Sequence, residues 1–160
     1  MSINSLEIGY NLDLISRSEL LKWSDNNLIE NNNLPLFIKL SSINHQDRED
    51  KILSIINQFG NNFIIKDFNK FHKIILYFLE KKNNDWNDIR EKLIKYFYIV
   101  EDKISDNDYG FWVALKDDLQ LKKEGLPTRF KFPKNLIDYF NSHKIKNYQA
   151  NYLKAISYNL

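Results

Sequence analysis

Four glycines and three prolines in 160 residues are the feature that most restricts this chain. Sandwiches, barrels and sheet-rich folds place those residues at tight turns, so a chain this poor in them is confined to helices joined by short polar connections. The expected class is therefore all-α. The length is about that of one domain. A hydrophobic content of 43% with 14% aromatics supplies a core, as a disordered chain cannot. Residues 1–160 read as a single helical domain.

Helix start and stop signals recur along the chain. Ser16 with Glu19 has the spacing of a capping box, in which the hydroxyl accepts a backbone N–H three residues on and the glutamate reaches back. Leu20, Leu21 and Trp23 follow. Pro35 suits the first turn of a helix running to about Ile43. Asp47, Glu49 and Asp50 load the start of the next helix with negative charge, which the helix dipole favours, and Gly60 is its natural stop. Asp67 caps a segment with Phe68, Phe71, Ile74, Ile75, Phe78 and Leu79 at helical spacing. Asp85 with Asp88 opens another, whose apolar set is Trp86, Ile89, Leu93, Ile94, Phe97 and Tyr98. Ser105 and Asp108 begin one that ends at Gly125-Leu126-Pro127. Pro133 starts a seventh, and the last runs from about Asn147.

These signals predict about eight helices. Asn62–Lys66 and Thr128–Phe132 are weak strand candidates; the second reads better as an extended link, because a residue before proline is biased away from helix. Helical pairs recur at roughly 35 to 45 residues, which raises stacked hairpins. No position-by-position repeat supports them, so an irregular bundle is expected. Its predicted core is Trp23, Phe71, Ile75, Phe78, Leu93, Phe97, Trp112 and Phe140.

With no cysteine, disulfide scaffolds, thiolate metal sites and cysteine nucleophiles are excluded. Met1–Tyr10 lacks the pattern of a secretory signal. The longest apolar run, Ile74–Leu79, is far short of the roughly 20 residues that span a bilayer. A cytoplasmic location without membrane contact is the expectation. His45 and Glu49 are four apart and would share a face if their helix began early enough, though Arg48 between them disfavours a cation. His72 has no serine or threonine on a glycine-flanked turn to activate and reads as a helix-flank residue. The pairs Asp85/Asp88, Asp106/Asp108 and Asp117/Asp118 have the residue type for carboxylate chemistry, but the first two sit where helix starts want negative charge. No glycine-rich phosphate loop exists. No catalytic residue, cofactor or metal is expected.

Charge is unevenly spread. Residues 119–160 hold eight Lys or Arg against two acids, a net +6, leaving −4 over the rest. In that basic third Lys122, Lys123, Arg129, Lys131, Lys134, Lys144, Lys146 and Lys154 interleave with Phe130, Phe132, Tyr139, Phe140, Tyr148 and Tyr152, a mixture able to bind phosphates and stack on bases. Only one of these cations is Arg, the residue that reads bases bidentately, and the aromatics are at core spacing. The opposite pole is Glu101, Asp102, Asp106, Asp108, Asp117 and Asp118 against Lys103 and Lys116, with Tyr109 as an aromatic anchor.

The size, the absence of cysteine, the opening Leu14-Ile15-Ser16-Arg17-Ser18-Glu19-Leu20-Leu21-Lys22-Trp23 helix and the stretch Asp106-Asn107-Asp108-Tyr109-Gly110-Phe111-Trp112 together resemble small helical bacterial immunity proteins. Those proteins block toxins delivered by neighbouring cells, in contact-dependent and other polymorphic toxin systems. The resemblance implies tight protein binding and occlusion without turnover, with a basic toxin domain as partner. Glu101, Asp102, Asp106, Asp108, Tyr109, Asp117 and Asp118 are the partner-binding candidates. The chain departs from the strongly acidic nuclease inhibitors, since only one region is acidic. The alternatives are a regulatory or nucleic-acid-associated protein using the basic third, and an enzyme whose site carries no motif.

Overall fold

The computed structural model describes residues 4–30, 34–82, 85–101, 106–142 and 151–159, without the side chains of 106–109, 111, 112, 158 and 159. Among the described residues there are nine α-helices: α1 (Ser5–Asn11), α2 (Arg17–Ile29), α3 (Pro35–Ser41), α4 (Glu49–Phe59), α5 (Phe68–Lys82), α6 (Trp86–Val100), α7 (Asp106–Lys123), α8 (Lys134–Ser142) and α9 (Tyr152–Asn159). The all-α class is the one observed. The chain forms two compact units, Met1–Phe71 with Asn147–Leu160, and His72–Lys146.

In the first unit α2 opens on the capping box read from the sequence. Ser16 Oγ accepts the Glu19 N–H, and Glu19 Oε2 accepts the Ser16 N–H at 2.8 Å. α2 packs against α3 and α3 against α4. Trp23 meets Phe37 and Phe63 edge-on at 5.0 and 5.6 Å, and Ser24 Oγ donates to the Phe37 carbonyl at 2.9 Å.

α1 is the helix the sequence did not announce. Seven residues are too few to show a period: Ser5, Leu6, Ile8 and Gly9 are buried, and only Glu7, Tyr10 and Asn11 make up its half-exposed side. Side chains tie it down. Asn4 caps it by accepting from the Leu6 N–H, and donates from Nδ2 to the Ile56 and Gly60 carbonyls at 3.1 and 3.3 Å. Ser5 Oγ donates to the Phe63 carbonyl at 2.8 Å, and Tyr152 Oη of α9 donates to the Ser5 carbonyl at 2.8 Å. The helix closes with the Leu14 N–H on the Gly9 carbonyl and the Asp13 N–H on the Tyr10 carbonyl. Asp13 takes the left-handed conformation, φ 55°, that this closure requires.

Gly60 ends α4 as expected, for a reason the sequence does not show. Its φ is −84°, open to any residue, but a Cβ there would lie 2.4 Å from Asn4 Nδ2. The strand candidate at Asn62–Lys66 is corrected: a 3-10 turn covers Asn61–Phe63, and Ile64 makes an isolated bridge to Asn4. With one bridge and no second strand, that segment only leads into α5.

The second unit is built on amphipathic helices. α6 buries Ile89, Leu93, Tyr96, Phe97 and Val100, and α8 buries Leu136, Tyr139 and Phe140. α7 ends where the sequence placed its stop: Gly125 has φ +74°, and the Leu126 and Gly125 N–H groups reach the Leu121 and Lys122 carbonyls at 2.9 and 3.2 Å. Of the predicted core, Phe71, Ile75, Phe78, Leu93, Phe97 and Phe140 are buried. Trp23 is half-buried, and the Trp112 side chain lies outside the described residues.

Gly9 tests the packing of α1. A Cβ at this position would sit 2.2 Å from Cε1 of the Tyr152 ring, whose hydroxyl is anchored to Ser5. Alanine is the better helix former by about 1 kcal/mol, yet overpacking of about 1–3 kcal/mol or more outweighs it at so short a distance. Gly9→Ala is expected to lose about 1–3 kcal/mol in urea unfolding; an unchanged midpoint would show that the ring moves aside freely.

Candidate functional site

The groups able to do chemistry are mostly engaged in structure. His72 lies on the buried side of α5, which corrects its reading as a helix-flank residue. Its Nδ1 is 3.2 Å from Tyr96 Oη and its Nε2 is 2.8 Å from Tyr139 Oη. A neutral imidazole has one donor and one acceptor nitrogen, so one tyrosine donates and the other accepts. Burial raises the Tyr96 phenol well above its ordinary value, which keeps it protonated. This is a buried polar network, and a nucleophile needs the opposite shift.

His45 is exposed in the turn before α4, whose first residue is Glu49, so the two do not share a helical face. Glu49 instead accepts from the Tyr10 hydroxyl and lies 3.6 Å from Arg17 Nη1. Asp47 is held by Lys51 at 2.7 Å and by the Asn44 N–H; the Lys51 hydrogen bond chiefly lowers its carboxyl below the ordinary value. Asp85 caps α6, and Asp88 pairs with Lys92 at 2.9 Å. Among the described residues no three His, Asp or Glu are grouped as a metal would need. His143 lies outside the described residues.

The acidic pole divides. Asp102 lies outside the described residues, as do the side chains of Asp106, Asp108 and Tyr109 in the first turns of α7. Glu101, at the end of α6, holds Lys116 Nζ of α7 at 2.9 Å, and that bond raises the Lys116 ammonium above its ordinary value. Asp117 is exposed. Asp118 is fully buried: its Oδ2 accepts the Phe130 N–H at 2.9 Å, and Arg129 Nε lies 3.5 Å from Oδ1. It therefore anchors the link between α7 and α8 and offers no charge to a partner.

The exposed anchor is Tyr98. Sequence reading put it on the apolar stripe of α6, yet it is 64% exposed. At about 100° per residue, nine residues past Ile89 is the opposite side of the helix, whereas Tyr96 falls back on the stripe; that signal was available. Lys116 Nζ lies 5.0 Å from the Tyr98 ring centroid. Ile99 beside it is also exposed. Tyr98, Ile99, Glu101, Lys116 and Asp117 thus gather on the C-terminal half of α6 and the facing part of α7.

The basic third is less available to nucleic acid than its sequence suggests. Tyr139, Phe140 and Tyr152 are buried, and Lys123 pairs with Glu91 at 2.9 Å. Lys144, Lys146 and Tyr148 lie outside the described residues. Among the described residues no helix is long and apolar enough to cross a membrane. No known family, curated protein or solved structure matches this chain.

Two substitutions check the buried network and the anchored link. Above the ordinary tyrosine value of 10.0 the unfolded chain releases a proton that folded Tyr96 keeps, so stability falls as pH rises. The slope is about 1.4 kcal/mol per pH unit for that one proton. Tyr96→Phe is expected to lose about 0.5–1.5 kcal/mol at neutral pH and to show a shallower alkaline decline in urea midpoints between about pH 9 and 11.5. Asp118→Ala strands the Phe130 N–H and is expected to cost about 1–3 kcal/mol, measured by thermal unfolding.

Proposed function

We propose that this chain works by binding another protein, and that it is an immunity protein which neutralises a cognate bacterial toxin by occlusion, without turnover. The observation that carries the reading is Tyr98, a large aromatic ring left exposed with a lysine–glutamate pair beside it. Tyrosine is enriched among residues that dominate interfaces, because it offers a wide contact area at small conformational cost. The layout resemblance supports the toxin partner. Asp117, exposed beside Lys116, supports a basic one. Charge placed this way acts chiefly on association rate and choice of partner.

The test uses the product of the gene adjacent to this one as the toxin, since immunity and toxin genes lie side by side. Tyr98→Ala is expected to keep wild-type stability within about 0.5 kcal/mol and to weaken toxin binding by about 30-fold or more, with loss of growth protection. Asp117→Lys is expected to slow association at low salt and to matter little at high salt. Full protection by Tyr98→Ala would remove this face from the interface. Failure of the wild-type chain to bind or protect against that product would overturn the toxin reading.

A further inference from the structure

The second unit contains a cavity of about 130 Å³ lined by Trp86, Arg90, Lys122, Phe132, Pro133 and Leu136 together with Asn87. Its walls divide by chemistry. Trp86, Phe132, Pro133 and Leu136 are apolar, and the two rings are aromatic. Arg90 and Lys122 are cationic, and no acid lines the cavity. About 150 Å³ of enclosed apolar cavity holds one benzene; this one is slightly smaller and open on one side, so a single ring enters it with an edge toward solvent.

The cations are differently placed. Arg90 is a half-buried residue of α6, its Nη2 3.5 Å from Glu91 Oε1, while its Nε is buried without a hydrogen-bond partner. That nitrogen has almost no accessible surface, so a ligand in the cavity meets other atoms of Arg90. The other oxygen of Glu91 is held by Lys123 at 2.9 Å. Lys122 is exposed at the end of α7, on the rim. The cavity also adjoins the first turns of α6 and α8, where the helix dipoles add partial positive charge. The last turn of α7 has the opposite dipole, which Lys122 counters.

We propose that this cavity is a binding site for a small aryl carboxylate, with its ring between Trp86 and Phe132 and its anionic group on Arg90 and Lys122. The ring fills the apolar part. The carboxylate meets a wall that carries two cations and no acid, where guanidinium and ammonium groups favour an anion. The site is separate from the Tyr98 face and does not depend on the toxin reading.

Phenylacetate is the probe, added to the full chain and followed by the Trp86 indole N–H resonance and by titration calorimetry, with Trp86→Phe assigning the resonance. Saturable binding is expected. Neutral phenylacetamide should bind roughly tenfold more weakly, and Lys122→Gln, an exposed change that leaves packing alone, should weaken phenylacetate by a similar factor. Inorganic phosphate at the same concentration should not displace it. Arg90→Gln should abolish binding if it folds; the Lys122 variant decides the matter if it does not. The proposal is overturned if phenylacetate does not bind, if phenylacetamide binds equally, or if Lys122→Gln leaves affinity unchanged. Displacement by phosphate at equal concentration would also overturn it, by reducing the site to an anion patch.

Discussion

A seven-residue helix has no stability of its own in water, because nucleation costs more than so few hydrogen bonds return. α1 exists because everything around it is built to receive it. Leu6 and Leu12 are fully buried, and Asn4, Ser5 and Gly9 tie α1 to α4, to the turn at Phe63 and to α9. Asn4 takes the last carbonyls of α4, Ser5 joins Phe63 and Tyr152, and Gly9 admits the Tyr152 ring. In this unit the order of the first helix is therefore set by residues some fifty and nearly one hundred and fifty positions later. The constraint is reciprocal. A Cβ at Gly60 would meet both Asn4 Nδ2 and the Ile56 carbonyl, and Asn4 shares that carbonyl with the Gly60 N–H at the end of α4.

The second unit uses the same device at other places. Asp118 faces inward and accepts a backbone N–H from the link after α7, where an apolar residue would leave that donor unpaired at a cost of about 1–3 kcal/mol. His72 does so between two tyrosines, with each ring nitrogen matched to one hydroxyl. Buried polar groups that are fully matched favour one arrangement over its neighbours. Both fix side chains that a sequence reader is inclined to hand to function.

Legibility followed the range of the interactions. Local signals were readable: the Ser16–Glu19 box, Pro35 at the start of α3, Asp85 as a cap and Gly125 as a left-handed stop all depend on residues within about one turn. What was not readable depends on distant partners. Nothing near Ser5 announces Tyr152, and the seven residues of α1 are too few to show a period. The candidate site suffered in the same way. Asp118 was read as a surface acid, although it falls three residues after Leu115 and one before Leu119 on the buried stripe of α7. Tyr98 is grouped by sequence with the apolar set of α6, although the α6 period places it opposite Ile89. Helical periodicity carries both answers, and it outranks an acidic run or an aromatic cluster as a sign of exposure.

The proposed binding through Tyr98 would draw on rigidity set elsewhere. The ring rises from a helix whose other side is closed by Ile89, Leu93, Tyr96, Phe97 and Val100, so the backbone beneath it does not need ordering when a partner arrives. Glu101 holds Lys116 in place next to the ring, which settles part of the side-chain entropy of the interface in advance. The cavity at Trp86 and Arg90 is on the same helix, eight to twelve residues back, or roughly 12–18 Å at 1.5 Å per residue. One stiff element thus carries an aromatic contact at one end and a cationic pocket at the other. A ligand in the pocket can alter affinity at Tyr98 only if it favours one state of α6 over another, and a helix packed along its whole apolar stripe has little room for a second state. The two surfaces are expected to act independently.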